Sequence, residues 1–181
     1  MNPYPKVSVV ISTYNRPHML DRALASVYAQ TFGDFEVVIV DDASPCITEM
    51  QALVTKWESL FTARSIDLWA YYIEENSGYQ CFPKNRGIEK ARGDYIAYLD
   101  DDNEWRPDHL ATLVGAIESD YSTDMVYSRL HYIVDGDEAR QKLVEAFDGQ
   151  VPEGDTIGTP WNPNVLMQKN YIDTSTMLHS K

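Results

Sequence analysis

The sequence predicts an α/β fold built on a mostly parallel sheet. Two features carry that expectation: apolar runs rich in β-branched residues, and stretches of helical period that separate them. A third sharpens it, because several runs end in short polar or acidic turns. Lys6 to Ser12 (KVSVVIS) is almost wholly apolar, as in a strand covered on both faces. After a turn at Thr13 to Arg16, Pro17 suits a first helical position. Leu20, Ala23, Leu24, Val27 and Tyr28 then recur at helical spacing, so the helix is expected to run to about Gln30. Phe35 to Val40 (FEVVIV) is the second strand and runs into Asp41-Asp42. Ser44-Pro45 reads as the cap and first turn of a helix whose inward face is Met50, Leu53, Val54, Trp57 and Leu60.

Leu68 to Ile73 is the third strand, followed by a loop from Glu74 to Gly78. A helix from Pro83 to Ala91 is expected to close at Arg92-Gly93, with Gly93 as a left-handed cap. Tyr95 to Leu99 is the fourth strand, and the helix from Pro107 to about Glu118 turns Leu110, Leu113, Val114 and Ile117 inward. Beyond it, Met125 to Ser128 and Leu130 to Val134 read as short strands before a turn at Asp135-Gly136-Asp137. Ala139 to Phe147 fits strand or helix, and Gln150 to Thr159 reads as a mobile loop. One domain is expected over 1–181, in two parts at 1–119 and 120–181.

With 181 residues, 44% of them hydrophobic, the chain can bury a substantial core. A formal net charge of -13 argues against nucleic acid or an anionic membrane as partner, since both need compensating cations. No apolar run approaches the roughly 18 residues that would suggest a transmembrane helix. Cys46 and Cys81 lack CxxC spacing, and the polar start of the chain does not resemble a signal peptide, so a cytoplasmic setting is expected.

In a parallel sheet the ligand crevice lies at the carboxyl ends of the strands. Thr13 to Arg16, Asp41-Asp42 and Asp100-Asp101-Asp102 all fall there. Three adjacent carboxylates repel one another unless a cation neutralises them, and Mg2+ or Mn2+ accepts such oxygen ligands. Asp100 and Asp102 are therefore candidate metal ligands, with His179 as a further one. An ordinary acidic cap would look similar at any one of these loops; their expected convergence favours a site. Asp41 is expected to accept a hydrogen bond from a base N-H, with Asp42 beside it. Lys84, Asn85 and Arg86 open a helix in an acidic chain, and at least one is expected to face a phosphate. Trp105, Trp161 and most tyrosines read as core or rim.

The segments VSVVISTYNRP, FEVVIVDDAS and GDYIAYLDDDNEWRPDHL together resemble glycosyltransferase family 2, and within it the spore-coat polysaccharide biosynthesis enzymes. NYIDTSTMLHSK is similar to the acceptor-side strand of that family. The resemblance implies a GT-A, Rossmann-like fold in three α/β/α layers. It also implies a transfer, mostly with inversion, from a nucleoside-diphosphate sugar to a hydroxyl of a glycan or other acceptor, with UDP favoured and dTDP or GDP as alternatives. Asp100 and Asp102 would be the ends of a DxD motif and Asp102 the direct ligand of Mn2+ or Mg2+, stabilising the leaving group. Nucleotide-sugar contacts are expected from Thr13, Tyr14, Asn15, Arg16, Asp41, Asp42, Asn76, Gly78, Lys84, Arg86 and Asp101.

The family's general base is an Asp or Glu beyond the strand that TSTMLHSK resembles. Neither Asp155 nor Asp173 has that context, so the base is expected beyond Lys181. The alternative reading is a module that holds nucleotide and metal without transfer. A phosphotransferase of the haloacid dehalogenase type would also place Asp-x-Asp after a strand, but its later motifs are hard to find. A dinucleotide oxidoreductase lacks its GxGxxG after the first strand.

Overall fold

A computed structural model describes residues 3–120, 122–131, 156–157 and 172–181. The first strands form on apolar runs that favour a pleated backbone, β-branched in the first two and rich in aromatics in the next two. They are β1 (Val7–Thr13), β2 (Phe35–Asp41), β3 (Leu68–Tyr72) and β4 (Tyr95–Asp100). Between them run α1 (Pro17–Tyr28), α2 (Ile47–Thr62) and α3 (Cys81–Lys90), and α4 (His109–Glu118) follows. Then come β5 (Met125–Tyr127), β6 (Leu130–His131), β7 (Thr156–Ile157), a 3-10 turn at Thr174–Thr176 and β8 (Met177–Ser180).

The sheet order is β3-β2-β1-β4-β8-β5, with β6 and β7 as a separate pair. The pairs β1–β2, β1–β4 and β2–β3 are parallel; β8 runs antiparallel to both β4 and β5. Alternation along each strand sorts side chains to two faces. Val7, Val9, Ile11, Val37 and Ile39 meet the apolar stripes of α1, α2 and α4. Val10, Val38, Val40, Ile96 and Tyr98 face the other way, with Ile88 of α3 packed against them. Two covered faces make the three layers. Each fully buried Leu, Ile or Phe contributes about 1.5–3 kcal/mol by leaving water, so these stripes dominate stability.

Several expectations are corrected. Phe61, fully buried, takes the inward position expected of Leu60, which is 37% exposed. The helix starts at Ile47, not at Ser44-Pro45, because Ser44 is engaged by Asp41. Similarly, α3 begins at Cys81 and α4 at His109, each two residues from the proline expected to open it.

Gly93 does not adopt a left-handed backbone; among the described glycines only Gly78 does, at φ 70°. A Cβ on Gly93 would sit 2.7 Å from the Ser8 backbone nitrogen, so close approach of two backbones selects glycine there. Thr156–Ile157 pairs with Leu130–His131, placing a strand inside the segment expected to be a loop. The stretches 132–155 and 158–171, with the expected turn at Asp135, the ambiguous Ala139 to Phe147 segment, Asp155 and Trp161, lie outside the described residues.

Candidate functional site

The parallel register aligns the strand ends: Thr13 stands opposite Asp41, and Ser12 opposite Asp100. A cleft of about 430 Å3 opens beyond them, walled by Thr13, Tyr14, Arg16, Asp42, Asn76, Gly78 and Asp100 to Asp102, with Tyr79, Gln80 and Pro83 on the α3 side. Three loops that are remote in sequence thus meet.

Asp101 is the most deeply set of the three acids, 1% exposed. Thr13 donates its hydroxyl to Asp101 Oδ2 at 2.7 Å. Arg16 Nη2 lies 2.5 Å from Asp101 Oδ1, yet no N-H is aimed along that contact, so this buried oxygen accepts no hydrogen bond. Charge proximity without a directed bond is the sound description of the pair. Burial pushes the Asp101 carboxyl above the usual carboxylate range, against the opposing pull of Thr13 and Arg16. The same guanidinium reaches Asp102 Oδ2 through Nη1 at 3.2 Å, and the Asp102 side chain is 48% exposed.

Asp100 turns toward α3, where Lys84 Nζ lies 2.6 Å from its Oδ1. Thr174 joins this group, donating to Asp100 Oδ2 at 3.2 Å and accepting from Lys84 at 3.0 Å. Ser175 Oγ accepts from the Asp100 backbone N-H and from Asn103 Nδ2, both at 2.9 Å. Trp105, buried as expected, donates its indole N-H to the Ser175 carbonyl at 2.7 Å. Thr174 and Ser175 were not predicted as site residues. Their only sequence signal is the run Asp173-Thr-Ser-Thr, in which the Asp173 side chain accepts from the Ser175 N-H.

The second strand divides its two acids. Asp41 is 1% exposed and does not wall the cleft. Its oxygens accept from the Ser44 N-H at 2.8 Å and the Ser44 hydroxyl at 2.5 Å; Ser44 Oγ in turn accepts from the Asn15 N-H at 2.6 Å. This chain fixes Asn15 and Ala43 with positive φ, 54° and 63°. Asp41 therefore shapes the wall from behind, buried and outside the lining in which the expected base contact would be made. Asp42 stands in the wall instead, accepting from Asn76 Nδ2 at 3.1 Å and from the Ser77 hydroxyl at 2.9 Å. It thereby holds the loop ending at Gly78.

Two expected residues lie elsewhere. Arg86 pairs with Glu89 one helical turn on, at 2.7 Å, and faces a separate groove beside Tyr72 and Phe82. His179 sits on β8 opposite Ile96, four residues before Asp100, with Nε2 2.8 Å from the Tyr98 hydroxyl and Nδ1 2.6 Å from the Ser180 carbonyl. Both its nitrogens are engaged, and it does not line the cleft. Among the described residues no three His, Cys, Asp or Glu converge as a ready metal cage. Nor is any described helix long and apolar enough to cross a membrane.

The sequence profile described as glycosyl transferase family 2 matches residues 8–175. An uncharacterized glycosyltransferase of Nostoc sp., alr2836, is 34% identical over 156 residues, covering 82% of this chain and 42% of that protein. The Escherichia coli putative colanic acid biosynthesis glycosyl transferase WcaA is 32% identical over 114 residues, covering 61% of this chain and 37% of that protein. The chain thus spans well under half the length of either relative. Among solved structures, S. aureus TarS 1-349 in complex with UDP-GlcNAc superposes with a TM-score of 0.57 at 27% identity, covering 73% of this chain and 35% of TarS 1-349. This likeness agrees with the expected GT-A layers.

Proposed function

The chain belongs to glycosyl transferase family 2, and from that membership we propose that it binds the nucleoside-diphosphate end of a sugar donor for transfer to an acceptor hydroxyl. One observation carries the reading: the cleft at the strand ends is lined by Asp42, Asp100, Asp101 and Asp102, and among the described residues the cations against them are Arg16 in the lining and Lys84, paired with Asp100. Four carboxylates and two cations leave local negative charge, so a diphosphate needs a further cation to be held there. The donor set fits a hard divalent ion. Asp102 would hold Mn2+ or Mg2+ as its principal protein ligand, and the diphosphate oxygens and water would complete the shell. When bound, the ion supplies neutralisation of charge on the departing diphosphate.

The remaining roles belong to the chain itself. Asp42 and Asn76 orient the base, Tyr14 and Tyr79 flank it, and Arg16 and Lys84 meet phosphate oxygens. In an inverting transfer the acceptor oxygen bonds to the anomeric carbon, its proton passes to a base, and the C-O bond to the diphosphate breaks on the opposite side. UDP is the favoured nucleotide, supported by TarS having been solved with UDP-GlcNAc. A cytoplasmic setting is part of the proposal and is supported by the unpaired thiols of Cys46 and Cys81.

Calorimetry with UDP, GDP and dTDP, each with and without Mn2+, tests the proposal. One nucleotide is expected to bind in a metal-dependent way, and Asp102→Ala to abolish the metal dependence. Binding of every nucleotide that is indifferent to metal, or no binding at all, would overturn it.

A further inference from the structure

Every carboxylate at the end of β4 touches a cation of the chain, and one guanidinium serves two of them. Arg16 Nη2 lies 2.5 Å from Asp101 Oδ1 and Nη1 3.2 Å from Asp102 Oδ2. The seat is a poor one for arginine. Charge-assisted N-H to carboxylate bonds run at about 2.7–2.9 Å, so the Asp102 contact is long. Asp101 Oδ1, fully buried, receives no directed N-H despite the short approach. Arg16 has a 39% exposed side chain and precedes the first residue of α1, with only its backbone carbonyl engaged in the helix, accepting from Leu20 N at 3.0 Å. Nothing else described anchors the guanidinium.

We propose that Arg16 is a built-in counter-ion that occupies Asp102 until a diphosphate arrives, so that divalent metal and nucleotide bind as a mutually dependent pair. The inference rests on the donor-site reading given above. A metal alone meets no ready cage, and its best ligand is shared with a fixed positive charge that repels it. A diphosphate changes both conditions. It offers the planar fork of Arg16 two oxygens on one phosphorus, a bidentate partner better matched than two divergent carboxylates, and it brings oxygen ligands of its own. Moving the guanidinium from Asp102 to phosphate exposes the carboxylate to the metal, whose charge offsets that of the incoming diphosphate. Coupling of this kind is reciprocal: whatever nucleotide does for metal affinity, metal does for nucleotide affinity.

The test is a titration of the chain with Mn2+, read by the electron paramagnetic resonance of free Mn2+, alone and with saturating UDP, GDP or dTDP. Wild type is expected to bind Mn2+ at least ~10-fold more tightly with the preferred nucleotide, within the range of measured couplings. Arg16→Ala is expected to bind Mn2+ alone several-fold more tightly than wild type, to bind nucleotide alone more weakly, and to lose most of the coupling. Arg16→Lys, which keeps the charge but not the fork, should fall between them. If Arg16→Ala leaves the metal-alone affinity unchanged or weaker while wild type still shows metal-dependent nucleotide binding, this inference fails and the donor site stands. If wild type shows no metal-dependent nucleotide binding, both fail together.

Discussion

The two ends of the sheet each bury a carboxylate beside an arginine, and they do opposite things with it. At the amino end Glu36 is 1% exposed, as Asp101 is at the carboxyl end, and Arg92 is about as exposed as Arg16. Glu36 Oε1 accepts from the Ser8 hydroxyl at 2.7 Å and the Arg92 N-H at 2.6 Å, while Oε2 accepts from Arg92 Nε at 2.8 Å. Arg92 continues to Asp67 at 2.7 Å and stacks over Trp69. Asp101 has one directed donor and one oxygen without any. A buried charge with all its bonds made is part of the frame. One left short of partners is what the proposed donor site would draw on.

The largest effect expected from breaking this contrast is at Glu36. Glu36→Ala removes one partner of a buried pair and is expected to cost about 3 kcal/mol, measured by urea unfolding, without altering which nucleotide binds. Next comes Gly93, whose N-H donates to Ser8 Oγ at 2.8 Å within the same network. A Cβ there presses on backbone, so Gly93→Ala is expected to cost about 1–3 kcal/mol. The smallest effect, and the opposite sign, is expected at Asp101. Because burial raises its folded-state pKa above the unfolded value, the ionised group penalises folding at neutral pH, and the penalty fades as pH falls through the folded pKa. Asp101→Asn is therefore expected to be at least as stable as wild type at pH 7, with the difference shrinking in acid. A variant less stable at pH 7 would show that Asp101 belongs to the frame after all.

Legibility in sequence followed the range of the forces. β1 and β2 were readable because continuous β-branched runs leave few alternatives, and β4 because a short apolar, aromatic run is bounded by Gly93-Asp94 and the acidic turn. The convergence of their polar ends followed from parallel pairing alone. The exchange of Leu60 for Phe61 is a one-residue difference in the last turn, where two apolar residues lie three and four positions beyond the buried Trp57 and either fits the stripe. The later helix start has its own source: Ser44 could cap a helix, but Asp41 takes its N-H and hydroxyl instead. For the same reason Asp41 and Asp42 could not be ranked from the string Asp-Asp. Glu36 sits inside an apolar run, and its partner Arg92 is 56 residues away, so nothing local announced that pair. The clasp of Ser175 on the acidic loop spans 75 residues and was equally hidden.

The place of β8 sets an order of events as well as a shape. It enters the sheet between β4 and β5, although it comes from the far end of the described chain. Closing so long a loop carries an entropic cost before any contact rewards it. The parallel unit β1 to β4 can gather from nearer neighbours, whereas Asp100 and Asn103 gain their Ser175 acceptor only when that last strand docks. Clasping of the acidic loop is therefore expected late in folding, to be seen in pulse-labelled hydrogen exchange as later protection of the Asp100 N-H than of the β1 and β2 amides.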